Sequence, residues 1–66
     1  MTRELVKEII NEVKSKAKRQ GVVVQAHTWL KLEEVISTYS DEAIREDRIR
    51  VLREVDRILG MYGIYL

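Results

Sequence analysis

Ser37-Thr38-Tyr39-Ser40-Asp41-Glu42 is the stretch on which the fold turns. Residues 37–40 are a run of weak helix formers whose hydroxyls compete for backbone hydrogen bonds. Ser40 followed by two acids has the form of a fresh helix start, with an N-cap and negative charge at the positive end of the dipole. Without a break here, residues 28–59 make one helix about 50 Å long. With it, they make a helix at about 29–38 and another at about 41–59.

Working upstream, Thr28 is the expected N-cap of the 29–38 helix, and Trp29, Leu32, Val35, Ile36 and Tyr39 form its apolar face. Before it, Val22-Val23-Val24-Gln25-Ala26 is short, β-branched and bounded by Gly21, which predicts a strand at 22–26. A lone strand leaves its backbone groups unpaired, so its partner is either 62–66 or the same strand of a second subunit. Residues 3–19 read as a first helix. Leu5, Val6, Ile9, Ile10, Val13 and Ala17 fall within an arc of about 140°, Thr2 is the expected N-cap, and Gly21 supplies a left-handed end.

Downstream, Ile44, Val51, Leu52, Val55, Ile58 and Leu59 form one stripe that stops at Gly60. In Tyr62-Gly63-Ile64-Tyr65-Leu66 the apolar residues alternate, as in an edge strand, although a frayed end reads the same way. The expected class is mainly α: three helices, a strand at 22–26 and a second candidate strand at 62–66, in one small compact domain.

Composition narrows the function. The chain has 66 residues, 12 basic and 11 acidic, with one histidine, no cysteine and no proline. Disulfide frameworks, thiolate metal sites and cysteine nucleophiles are excluded. No apolar run resembles a signal peptide or a membrane span, which leads to the expectation of a cytoplasmic protein without membrane contact. A chain of this length buries only about 60% of its unfolded surface, and one small core supplies roughly 3–5 kcal/mol. Self-association, most simply as a two-fold dimer, is therefore expected. Scarce Asn and Gln with abundant Lys, Arg and Glu give a thermophile-like composition.

No catalytic, metal or cofactor constellation is evident, and no small-molecule substrate is implied. His27 lacks ligand partners at metal-binding spacing and suits a hydrogen-bonded turn. Glu12 to Lys16, Asp41 to Arg45 and Glu46 to Arg50 are spaced as solvated helical ion pairs rather than as an acid–base site. An enzyme is not expected.

Charge is uneven. Residues 1–20 hold six bases and three acids, net +3; residues 28–66 hold six bases and eight acids, net −2. Lys14, Lys16, Lys18 and Arg19 form an acid-free basic run suited to phosphate contact, or simply to the negative end of a helix dipole. The third helix carries Arg45, Arg48, Arg50, Arg53 and Arg57 among six acids, which fits either an ion-pair lattice or base and phosphate recognition. By angle Arg48 lies in the apolar stripe, so it must reach solvent or pair with a carboxylate across an interface. Trp29, Tyr62 and Tyr65 are the interface candidates, Trp29 doubling as core.

The segment Val51-Leu52-Arg53-Glu54-Val55-Asp56-Arg57-Ile58-Leu59-Gly60, then Met61-Tyr62-Gly63-Ile64-Tyr65-Leu66, resembles the recognition helix of a winged helix-turn-helix domain running through a glycine into a strand. The resemblance implies a winged-helix-like fold and DNA as partner, with Arg45, Arg48, Arg50 and Arg53 facing bases or phosphates. Together these features give two expectations: a small oligomeric nucleic-acid-binding protein contacting phosphate through Lys14, Lys16, Lys18 and Arg19, or a helical interaction module with no nucleic-acid contact.

Overall fold

A computed structural model describes residues 3–66 as α1 (Glu4–Arg19), α2 (Ala26–Ile36), α3 (Asp41–Glu46) and α4 (Arg48–Met61). α2 packs against both α1 and α4, and α3 folds onto α4. Val6, Ile9, Ile10 and Val13 from α1, Leu32 and Ile36 from α2, Ile44 from α3, and Val51, Val55, Ile58 and Leu59 from α4 close into a single core. These are the residues whose helical periodicity marked them as apolar faces.

The break between the second and third helices forms where the weak helix formers lie. Ser37 Oγ donates to the Glu33 carbonyl at 2.6 Å and Thr38 Oγ1 to the Val35 carbonyl at 2.7 Å. These hydroxyls occupy the carbonyls of the last turn of α2. Ser40 then caps α3, its side chain accepting from the Ala43 amide at 3.1 Å.

A tertiary contact fastens this turn. The expected cap Thr2 lies outside the described residues, and Arg3 holds the N-cap position of α1 without a side-chain cap bond. Its guanidinium reaches across to the turn instead, donating to the carbonyls of Ser37 and Tyr39. Nη1 also lies 3.2 Å from Asp41 Oδ1. That oxygen is shut off from water and receives no directed hydrogen bond, so its compensation is the adjacent positive charge.

Both long helices end the same way. Gly21 takes φ +69°, its amide bonding the Lys18 carbonyl at 3.1 Å while the Val22 amide bonds that of Ala17 at 2.9 Å. Gly63 takes φ +75°, its amide bonding the Gly60 carbonyl at 3.0 Å while the Ile64 amide bonds that of Leu59 at 2.9 Å. Both are Schellman ends, which place glycine at the left-handed residue and satisfy orphan carbonyls.

Several expectations are corrected. α4 passes through Gly60 and ends at Met61, so Tyr62 and Gly63 are spent on the Schellman turn. Ile64 and Leu66 come back onto the core rather than forming a strand. With 62–66 committed there, 22–26 has no ladder partner in the chain. Residues 22–25 form an irregular connection, and Ala26, a strong helix former, opens α2 with Gln25 at the cap instead of Thr28. Thr28 is buried in the first turn. The described residues contain no strand, so neither the strand after the first helix nor the wing of the winged-helix pattern is built.

The third helix is also two. Asp47, at φ −134° and ψ 51°, both ends α3 and begins α4. Residues 45–50 are all exposed, so no core contact holds that stretch straight. Asp is a poor helix former and a good first residue, which makes the break cheapest there. No described helix is long and apolar enough to cross a membrane.

Candidate functional site

Helix geometry divides the basic run of α1. Residues two apart point about 200° from one another on a helix, so Lys14 and Lys16 leave on opposite flanks. Lys14 turns to α2, its ammonium 5.6 Å from the centre of the half-buried Trp29 ring, in cation–π range. Lys16 and Arg19 turn to α4, and Lys18 stays exposed. The four cations therefore do not make one patch.

The arginines of α3 and α4 are divided too. Arg48 pairs with Glu12 of α1, both side chains near half exposure at 46% and 47%. Its carboxylate across an interface is thus found within the chain. Arg50 pairs with Asp47 at 3.9 Å, and Arg57 holds Glu54, with Nε 3.2 Å from each carboxylate oxygen. That hydrogen bond and the charge of Arg57 hold the Glu54 carboxyl below its ordinary value. The expected i,i+4 pairs give way to these shorter-spaced and inter-helix ones. Among the described residues Arg45, Arg53, Lys16 and Arg19 have no ion-pair partner.

Three of those four converge. Between α1 and α4 runs an open groove of about 310 Å³. Val13, Leu52 and Leu66 make its floor, Ile49 stands 68% exposed on its α4 wall, and Lys16, Arg19 and Arg53 line its sides with Glu12 and Asp56. Glu12 is already engaged by Arg48. The free side-chain charge around the floor is three cations against one acid.

A second hollow of about 460 Å³ lies between α2 and α4, lined by Lys31, Val35, Arg57, Ile58, Met61 and Tyr62. It is larger, but its cations are committed: Lys31 lies 4.0 Å from Glu34, and Arg57 holds Glu54. Tyr62 meets His27 edge-on at 6.1 Å, and Tyr65 is 79% exposed. His27 lies in the first turn of α2, exposed, not in a free turn. Among the described residues no three His, Asp or Glu side chains converge to hold a metal ion.

The structure thus joins Lys16, Arg19 and Arg53 and leaves Lys14, Lys18, Arg45, Arg48 and Arg50 elsewhere or paired. Ile49 and Leu66 are the groove residues that periodicity alone passes over. Ile49 had a signal, as an apolar side chain between two arginines and off the stripe. Leu66 was marked only by the alternation of 62–66, read as an edge strand, and its place here depends on the turn at Gly63. No protein-family model matches the chain, and no curated protein or solved structure is significantly similar to it.

Proposed function

We propose that this chain is a helical protein-interaction module that seats an apolar ridge of a partner in the α1–α4 groove. The observation that carries the reading is the apolar floor of that groove with Ile49 exposed beside it. Isolated exposed apolar residues are ordinary, but one continuous with a concave apolar floor and rimmed by charge has the make-up of a binding site. Nucleic acid is the weaker fit. Phosphate contact gains with the number of free cations it gathers, whereas here the basic run of α1 is split over two flanks, three arginines are neutralised by Glu12, Asp47 and Glu54, and only Lys16, Arg19 and Arg53 gather, beside Asp56.

Two titrations of the ¹⁵N-labelled chain test this. A helical peptide with a leucine ridge and uncharged Gln flanks is expected to shift the amides of Val13, Ile49 and Leu52. Ile49→Asp abolishes those shifts and leaves the helical circular dichroism intact, since Ile49 is mostly exposed and outside the core. Duplex and single-stranded DNA at about 50 mM salt are expected to show no binding tighter than about 0.1 mM, the weak limit of non-specific association. Salt-sensitive DNA binding with no response to the peptide overturns the reading.

A further inference from the structure

Resting on that reading, we infer that the occupant of the α1–α4 groove is an acidic amphipathic helix: one aliphatic ridge flanked by Asp or Glu. The walls set the length. Glu12 to Arg19 on α1 and Ile49 to Asp56 on α4 are eight residues each, seven steps and so about 10 Å or two turns at 1.5 Å per residue. A groove that long takes apolar residues at i, i+3 or i+4, and i+7 from a helix laid along it. Its modest volume suits a ridge of a few side chains rather than an enclosed ligand.

The rim sets the charge. Lys16 and Arg19 stand on one wall and Arg53 on the other, none with an acid partner among the described residues, while Glu12 is answered by Arg48 and, of the groove's acidic side chains, Asp56 remains unanswered. A helix seated on the floor brings its flanking positions against these cations from both sides. Acids there find partners, and bases are repelled and left beside uncompensated charge. Rim charges of this kind act on encounter rate and choice of partner more than on total affinity. A second copy is the less suitable occupant. Its one exposed apolar residue with acids three and four positions on is Leu30, ahead of Glu33 and Glu34. Glu34 is already within 4.0 Å of Lys31, so α2 offers the rim less free acid than a separate acidic helix does.

The test uses the full chain and three peptides sharing one leucine ridge, flanked by Glu, Gln or Lys, followed by calorimetry and amide shifts. The expected order is Glu, then Gln, then Lys, with the first at least about tenfold tighter than the last at 50 mM salt. The ratio narrows at about 0.5 M salt, and Arg19→Glu with Arg53→Glu reverses it. Equal binding of all three peptides overturns the acidic partner and leaves the interaction module standing. No response to any peptide, with DNA shifting Lys16, Arg19 and Arg53 instead, overturns both. Groove shifts that grow with protein concentration alone and vanish in Leu30→Asp make the occupant a second copy, and overturn the inference.

Discussion

α1 and α4 are near twins in outline and opposites in charge. Each is a long amphipathic helix with one buried stripe, and each ends in a Schellman turn on a left-handed glycine. Yet the cations at the end of α1 have no acidic partners, while most arginines of α4 are paired. The cause is local. From Lys14 on, α1 carries only bases among its charged residues, and Glu12, the one acid within reach of Lys16, is held by Arg48 instead. α4 alternates acids and bases at spacings of three, so Arg50 meets Asp47 and Arg57 meets Glu54. Free charge is left where composition is one-signed, and the groove collects it because α1 lies beside the single unpaired arginine of α4.

The strongest way to break the likeness is through the shared core. Ile9→Ala on α1, at a site with no solvent exposure, is expected to cost about 2–5 kcal/mol by cavity formation. That rivals the stability of a small domain, so urea unfolding should show a largely unfolded chain. A loss near that of an exposed substitution would mean α1 is not packed as described.

The glycines sharpen the likeness at intermediate size. Gly21→Ala and Gly63→Ala each force a Cβ onto positive φ and are expected to lose about 1 kcal/mol or more. Gly60→Ala is expected to gain about 0.5–1 kcal/mol, because the residue is helical and the nearest atom to an added Cβ is Tyr65 Cε1 at 3.6 Å, an ordinary contact. Thermal melts of the three variants check the opposite signs.

The smallest effect tests the pairing on α4. Glu54 has a lowered pKa in the folded chain because Arg57 donates to it, so its contribution is present above the ordinary Glu value near 4.5 and is lost as pH falls through the folded value. Wild type should therefore exceed Glu54→Gln slightly in urea midpoint at pH 7, the gap closing as pH falls below the ordinary Glu value and through the lowered folded one. A gap that persists in acid would assign the effect to packing rather than charge.

Much of this was legible beforehand. The buried faces of α1 and α4, the interruption after Ile36, the cap at Ser40 and the left-handed Gly21 all follow from periodicity and capping chemistry, which act within one or two turns. The choice between Gly60 and Gly63 was not legible, since both are competent stops. The helix continues because Ile64 and Leu66 reach the core only if the turn waits until Gly63. The strands failed for the same kind of reason: the β preference of Val22-Val23-Val24 is real, but a strand exists only with a partner, and the one candidate within the chain was committed elsewhere. Half of the candidate site was readable as basic residues; which of them meet was not.

By itself, then, the sequence determined that this chain is helical, where its apolar faces lie, and that its first helix carries unbalanced positive charge, because those properties depend on neighbours within a few residues. Only the tertiary structure decided which cations stay free. Arg48 meets Glu12 and Arg3 meets Asp41 across 36 and 38 positions of chain, and Lys16, Arg19 and Arg53 come together because α1 and α4 line one groove. Pairing over such separations is set by packing of the core, not by spacing along the chain.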